Sequence, residues 1–89
     1  MEVTILLGSS SDLPIAEKCT KILDQFDVSY QLRVASAHRS PRFVEEIIGD
    51  ALDDGCHIFI AMAGLAAALP GAVAALTTKP VIGVPCGGR

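Results

Sequence analysis

Short apolar runs alternate with amphipathic segments along the chain, and this alternation limits the possible folds more than any other feature. Strands are predicted over residues 28–34, 57–62 and 81–84, as well as over 3–7. After the strands at residues 3–7 and 28–34, apolar residues recur every three or four positions, which is typical of helices that cover a sheet, and an alanine-rich helical segment follows residues 57–62. Regular β-α alternation with short connections favours a parallel sheet with helices on its faces and right-handed crossovers. We therefore predict a single α/β domain over residues 1–89.

The predicted helices have recognisable ends. Asp12 is expected to cap the first helix, Ser40 to cap the second, Pro41 to occupy the second helix's first turn and Gly55 to end it. A third helix is predicted over residues 66–77. The apolar stripe of the first helix is Ile15, Ala16, Cys19, Ile22, Leu23 and Phe26. The stripe of the second helix is Phe43, Val44, Ile47, Ile48, Ala51 and Leu52.

The outer strands of the sheet can also be characterised. Polar Gln31 and Arg33 alternate with apolar residues in the second strand, which predicts an edge strand with one less buried face. No helical segment follows the fourth strand, which gives way to Cys86-Gly87-Gly88-Arg89. We therefore expect one face of the sheet to be open. Either another chain covers it, or the sequence is part of a longer one.

Composition excludes several classes of protein. The net charge is −3 and the seven Lys and Arg residues are scattered, which argues against a nucleic-acid partner. The three cysteines form no Cys-x-x-Cys pair, so we expect no disulfide framework or zinc site. Free cysteines fit the reduced cytoplasm better than an oxidising compartment. The long apolar run over residues 58–76 is interrupted by Gly64, Pro70 and Gly71, which favours a buried strand and helix over a membrane span.

Three loops with ligand-binding chemistry occupy the same position, between a strand and the helix that follows it. They are Gly8-Ser9-Ser10-Ser11-Asp12, Ser36-Ala37-His38-Arg39-Ser40-Pro41 and Ala63-Gly64-Leu65-Ala66-Ala67. In open parallel sheets, ligands bind beyond the carboxyl ends of the strands. Helix N-termini at that edge present free N–H groups and a partial positive charge, which suit a phosphate.

The first two loops contain the candidate side chains. Gly8 allows close backbone approach, the serines offer hydroxyls, and Asp12 could accept hydrogen bonds from a ribose, although helix capping explains Ser11 and Asp12 equally well. Arg39 suits bidentate phosphate binding, and a solvated loop arginine is the alternative. His38 has an unperturbed pKa suited to proton transfer near neutrality. His57 starts a strand at the opposite edge and is interpreted as structural.

Four motifs in order resemble the PurE family, which acts on carboxyaminoimidazole ribonucleotide in purine biosynthesis. They are Gly8-Ser9-Ser10-Ser11-Asp12-Leu13, Ser36-Ala37-His38-Arg39-Ser40-Pro41, Ala63 to Gly71, and Lys79-Pro80-Val81-Ile82-Gly83-Val84-Pro85. The resemblance runs from residue 3 to about residue 85, and it is greatest to the mutase branch. It implies a flavodoxin-like three-layer α/β/α sandwich whose C-terminal part is missing, assembled as an octamer, with no metal or organic cofactor.

The resemblance also implies substrates and roles. The carboxylate moves from the exocyclic amine of the imidazole ribonucleotide to a ring carbon, through CO2 held in a closed site. His38 would transfer the proton. The substrate-binding residues would be Ser9, Ser11 and Asp12 for phosphate and ribose, Ser36 and Arg39 for phosphate, and Ala63, Gly64 and Leu69 around the ring and carboxylate.

Two departures from the family pattern keep alternatives open. Ala68 stands where the family usually has a histidine that is thought to hold the carboxylate or CO2, and the family domain continues beyond residue 89. A module that binds a ribonucleotide without converting it is therefore the main alternative to an enzyme. A flavodoxin-type domain that binds another mononucleotide ligand, such as flavin, is a third interpretation, but aromatic residues make up only 4% of the chain and flavin rings commonly stack on such side chains.

Overall fold

The computed structural model describes residues 1–37, 39–64 and 68–86, which form one parallel sheet with helices on both faces. The strands are β1 (Val3–Leu7), β2 (Tyr30–Val34), β3 (Ile58–Ala63) and β4 (Val81–Pro85), in the spatial order β2-β1-β3-β4. The helices are α1 (Leu13–Gln25), α2 (Pro41–Asp53) and α3 (Ala68–Ala74), and a 3-10 turn at Ser10–Asp12 precedes α1. This arrangement is a flavodoxin-like three-layer sandwich, and it confirms both the parallel α/β prediction and the edge position of β2.

Two apolar clusters hold the layers together, one on each face of the sheet. Alternate strand residues point to opposite faces. Leu6, Phe59 and Ala61 therefore pack with α2 and α3, whereas Ile5 and Ile60 belong to the cluster that contains α1. β1 is buried along its whole length. This is the reason that all of its residues except Thr4 are apolar, and the buried Thr4 hydroxyl donates to the Cys56 Sγ at 3.3 Å.

The ends of the helices follow the predicted signals only in part. Gly55 has a φ of +85° after α2, a conformation that glycine adopts easily. Ser40 and Asp12 occupy the N-cap positions of α2 and α1, but neither side chain makes a capping hydrogen bond. Ser9 instead accepts from the Ser11 N–H and so caps the 3-10 turn. The Asp12 carboxylate is therefore not used for helix capping.

Several predicted element boundaries differ from the structure, including those of β3, which spans Ile58–Ala63 rather than residues 57–62. β2 begins at Tyr30 rather than at residue 28, because the N–H of Val28 bonds back to the Leu23 carbonyl in the turn after α1. The third helix was predicted over 66–77. Residues 66 and 67 lie outside the described residues, and the helix ends at Ala74. β4 extends to Pro85, where the missing N–H is tolerated at the end of an edge strand.

The long apolar run over residues 58–76 is divided between β3 and α3, as predicted from its glycines and proline. In the part of the chain that the structure describes, no helix is both long and apolar enough to span a membrane.

Candidate functional site

Backbone hydrogen bonds join the carboxyl ends of all four strands at one edge. The Ala35 N–H donates to the Leu7 carbonyl at 2.8 Å, and the Gly8 N–H donates to the Met62 carbonyl at 2.9 Å. The Cys86 N–H donates to the Ala63 carbonyl at 2.9 Å. The loops that follow β1, β2 and β3 therefore begin side by side, as the sequence predicted for a ligand site.

The sheet order gives this edge a crevice. From β1 the chain crosses to β2 on one side, and from β2 it returns to β3 on the other side of β1. Ligands of open α/β sheets bind where the order reverses in this way, here between the ends of β1 and β3. Gly8 and Ala63 meet at that point, since a Cβ atom on Gly8 would lie 3.5 Å from the Ala63 Cβ.

The first loop presents hydroxyl groups at this edge. Ser9 and Ser11 are exposed, and their Oγ atoms share a hydrogen bond of 2.9 Å. The Ser11 N–H also donates to the Ser9 Oγ at 3.2 Å. These contacts hold the two hydroxyls together beside the start of α1, where both can donate to an anion if they turn outward.

Asp12 is half-buried at the end of this loop, and Cys86 lies next to it. Burial raises the pKa of the Cys86 thiol, and the charge of the Asp12 carboxylate and a hydrogen bond to it raise that pKa further. Cys86 is buried, with 6% exposure. The end of β4 thus forms a fourth side of the candidate site, which the sequence reasoning missed. The available signal was that Cys86, like Gly8 and Ala35, directly follows a strand.

The second loop is held by Ser36. Its Oγ accepts from the Arg39 N–H at 3.2 Å, and its carbonyl accepts from the Ser40 N–H at 2.9 Å. Arg39 is exposed, so its guanidinium is accessible to an anion. The predicted proton-transfer residue, His38, lies outside the described residues, and its role remains a prediction. His57 lies at the amino end of β3, where its N–H donates to the Glu2 carbonyl at 2.9 Å.

The predicted site residues of the third motif lie in different places, two at the crevice and one in the core. Ala63 ends β3 at the crevice with 8% exposure, and Gly64 follows it half-buried. Leu69 has 2% exposure and packs within the α2 and α3 core. Its side chain is therefore in the core, and its predicted role as pocket lining is untested. Residues 65–67 lie outside the described residues, while Ala68 is the half-buried first residue of α3.

A groove of about 180 Å³ lies between α2 and α3 and reaches the second loop at Ala37 and Pro41. It is lined by Ala37, Pro41, Val44, Glu45, Ala72 and Leu76. Apart from the Glu45 carboxylate these side chains are apolar, and a carboxylate repels phosphate. The groove is therefore unsuited to the anion that the strand-end loops favour. Within residues 1–37, 39–64 and 68–86, no cluster of His, Cys, Asp and Glu could hold a metal ion.

The order β2-β1-β3-β4, with its loops gathered at the point of reversal, defines a flavodoxin-like domain with a candidate ligand site at the carboxyl edge of its sheet. Comparison of sequences then identifies the family. The family model described as AIR carboxylase matches residues 2–89. The chain belongs to the AIR carboxylase family.

Named relatives and a solved structure agree with this assignment. The chain is 59% identical over 83 residues to the N5-carboxyaminoimidazole ribonucleotide mutase of Methanocaldococcus jannaschii, matching 93% of this chain and 51% of that protein. It is 46% identical over 89 residues to the mutase of Vibrio parahaemolyticus, matching 100% of this chain and 55% of that protein. A crystal structure of Treponema denticola PurE superimposes with a TM-score of 0.87 and 36% identity, covering 94% of this chain and 54% of that one. The chain spans about half the length of these relatives.

Proposed function

We propose that this chain binds aminoimidazole ribonucleotide and takes part in carboxyl transfer on it, in de novo purine biosynthesis. The reaction would convert N5-carboxyaminoimidazole ribonucleotide to 4-carboxyaminoimidazole ribonucleotide. The observation that carries the proposal is the meeting of three family motifs at the carboxyl edge of the sheet, in a chain that matches the AIR carboxylase family over residues 2–89. Two relatives whose names include N5-carboxyaminoimidazole ribonucleotide mutase support it.

In this proposal the first two loops bind the phosphate and ribose. The paired hydroxyls of Ser9 and Ser11 donate to phosphate oxygens beside the start of α1, where helix N–H groups add positive potential. The Asp12 carboxylate, which makes no capping bond, accepts from a ribose hydroxyl. Ser36 and Arg39 complete the phosphate site, with the exposed guanidinium supplying the positive charge.

His38 acts as the proton-transfer residue in the proposed reaction. The bond between the exocyclic nitrogen and the carboxylate breaks to release CO2, and that nitrogen gains a proton from the His38 imidazolium. The ring carbon then attacks CO2 to form the new carbon–carbon bond, and His38 removes the proton from the same carbon. Ala63, Gly64 and Leu69 are proposed to surround the ring and the carboxylate. The support for His38 is its position between Ser36 and Arg39, both of which lie at the edge of the site.

Assembly and location are proposed on the same basis. We propose a homo-oligomer, an octamer as the family resemblance implies, that acts in the cytoplasm on a small ribonucleotide and CO2 without a metal or organic cofactor. Large apolar side chains remain exposed on this chain, and these are available for contacts between subunits. Phe26 is 73% exposed and Ile22 is 55% exposed.

An amide NMR titration with aminoimidazole ribonucleotide tests the binding step. Saturable shifts are expected at residues 9–12 and 36–39, with little change at His57, which lies at the other end of β3. Shifts confined to the groove around Ala72 and Leu76, or no saturable shifts at all, would overturn the proposed site. Mutase assays on the same sample then separate a catalyst from a binding module.

A further inference from the structure

The groove between α2 and α3 has an apolar floor and two walls. Pro41, Val44 and Glu45 are spaced by three and four residues, so they lie on one face of the first turns of α2. Val44 is 1% exposed and belongs to the core beneath both helices, so it forms the floor. Ala72 of α3 and Leu76, in the turn after α3, form the opposite wall. The groove therefore offers a ligand apolar contacts from both sides and from below.

Small side chains create the space in this groove. Ala37 and Ala72 end at their Cβ atoms, and the volume of the groove is about 180 Å³. An apolar protein cavity of about 150 Å³ binds benzene, whereas pockets for drug-sized ligands begin at roughly 300 Å³. The groove therefore has room for one six-membered ring and a few further atoms, and it is too small for a whole ribonucleotide.

Glu45 places a negative charge at the edge of the apolar lining. Its side chain is exposed, and it makes no ion pair with any residue that the structure describes. Of the described residues that line the groove, Glu45 alone carries a charge. A carboxylate beside an apolar surface favours a ligand that has a cationic end and an apolar body. The net charge of the chain, −3, also favours a cation over an anion.

We propose that this groove binds a small organic cation with a flat apolar body, an aromatic amidine or amine. The body packs on Val44, Ala72 and Leu76, and the cationic group pairs with the Glu45 carboxylate. A planar amidinium matches a carboxylate through two parallel hydrogen bonds, as a guanidinium does. The groove differs from the strand-end site in the charge of its ligand, because the loops at the strand ends favour an anion. The proposal requires neither ribonucleotide binding nor turnover.

The groove also touches both ends of the loop that carries Arg39. Ala37 and Pro41 line the groove. Within the loop, the Arg39 N–H donates to the Ser36 Oγ at 3.2 Å, and the Ser40 N–H donates to the Ser36 carbonyl at 2.9 Å. A ligand in the groove therefore contacts the same hydrogen-bonded turn that presents the Arg39 guanidinium. The cation would occupy a second site, adjacent to the proposed phosphate site.

The test is an amide NMR titration of the 89-residue chain with benzamidine as the probe. Saturable shifts are expected at Val44, Glu45, Ala72 and Leu76, with a dissociation constant on the order of millimolar for so small a ligand. Benzamide has nearly the same shape and no charge, and it is the matched ligand. It should bind about two- to fivefold more weakly, as expected for the loss of an exposed ion pair.

Two pairs of variants test the two parts of the groove. Glu45→Gln should remove the preference for benzamidine over benzamide, whereas Glu46→Gln, on α2 outside the described lining, should keep it. Because Glu45 is exposed, the circular dichroism of Glu45→Gln should match that of the wild type. Ala72→Leu fills the groove and should abolish saturable binding of both ligands, whereas Ala74→Leu, at an exposed position of α3, should not.

Several results would overturn the proposal. They are the absence of saturable shifts in the groove, equal affinity for benzamidine and benzamide, and an unchanged preference in the Glu45→Gln protein. Shifts centred on residues 9–12 would place the cation at the strand-end site instead. Dimerisation of the chain that Ala72→Leu abolishes and benzamidine does not displace would identify a second copy as the occupant.

Discussion

Gly83 of β4 lies directly against Pro70 of α3. A Cβ atom on Gly83 would be 3.2 Å from the Pro70 Cβ and 3.3 Å from its Cγ, closer than such atoms normally approach. The ring of proline is rigid, and the neighbouring Leu69 and Val73 are buried in the core, so α3 has little freedom to withdraw. The absence of a side chain at Gly83 thus allows α3 to pack on the outer half of the sheet.

Substituting Gly83 should therefore destabilise the fold. We expect Gly83→Val to lower the free energy of unfolding by about 1–3 kcal/mol through overpacking, measured by urea denaturation. The matched control is Gly49→Ala on the exposed side of α2, where an added Cβ meets nothing within 4 Å. That change should raise the free energy of unfolding by up to about 1 kcal/mol, because alanine favours helix. A Gly83→Val protein as stable as the wild type would disprove the tight contact.

Cys86 should make stability depend on pH in the alkaline range. Its pKa in the folded chain lies above the ordinary value of 9.0, first through burial and then through Asp12. Between these two values the unfolded chain has lost the thiol proton while the folded chain keeps it. The stability that this difference provides is complete below about pH 9 and is lost as the pH rises through the folded pKa. Burial of Cys19 acts in the same direction.

Cysteine Cβ chemical shifts, followed by NMR against pH, test the contribution of Asp12. Asp12→Asn should lower the pKa of Cys86 and leave that of Cys19 unchanged. Asp24→Asn, which alters the carboxylate that accepts from Tyr30 on the far flank of α1, should change neither. An unaltered Cys86 titration in the Asp12→Asn protein would show that the carboxylate and the thiol do not interact.

Arg39 is predicted to bind the substrate through its phosphate. Arg39→Ala should weaken binding of aminoimidazole ribonucleotide by about 1.5–3 kcal/mol, the usual contribution of a hydrogen bond to a charged group. Calorimetric titrations with the ribonucleotide and with the riboside, which lacks the phosphate, measure this. Arg42→Ala, a neighbouring exposed arginine on α2, is the control and should keep wild-type affinity. If Arg39→Ala binds both ligands as the wild type does, Arg39 is outside the site.

His38 is predicted to transfer the proton. His38→Asn should abolish carboxyl transfer and leave the ribonucleotide affinity largely intact, because asparagine keeps hydrogen-bonding capacity but cannot exchange a proton near neutral pH. His57→Asn, at the amino end of β3, is expected to retain activity. Both are checked by turnover assays beside binding titrations. Normal turnover in the His38→Asn protein would exclude the predicted role.

Ala68 is predicted to limit turnover, because it stands where the family resemblance implies a histidine. It begins α3, close in sequence to Gly64 at the crevice, and its methyl group cannot hold a carboxylate. Ala68→His should raise the mutase rate without a comparable change in ribonucleotide affinity. If the rate does not rise, the missing histidine is not what limits this chain.

Much of the architecture could be read from local chemistry. β1 is apolar except for the buried Thr4 because both of its faces are covered, and residues 3–7 were predicted with the bounds that the structure has. Gly55 ended α2 as predicted, because its φ of +85° suits a residue without a side chain. The loops of Ser9, Ser36 and Arg39 could be assigned to one edge from the sequence because parallel strands bring their following loops together, whatever the order of the strands.

The remaining features depend on contacts between residues distant in the sequence. Asp12 stands at a position where helix capping is expected from the sequence, but Ser9 caps the preceding 3-10 turn and the Asp12 carboxylate makes no capping bond. That carboxylate lies instead beside Cys86, which is 74 residues further along the chain by their residue numbers. Leu69 belongs to a family motif, but the packing of α3 against the sheet buries its side chain in the core. Ile22 and Phe26 fit the periodic stripe of α1, but the sheet covers the part of the stripe that contains Ala16, Cys19 and Leu23 and leaves these two exposed. The periodic pattern in the sequence shows which residues form the apolar stripe of a helix, whereas the packing of the helix on the sheet determines which of those residues are buried.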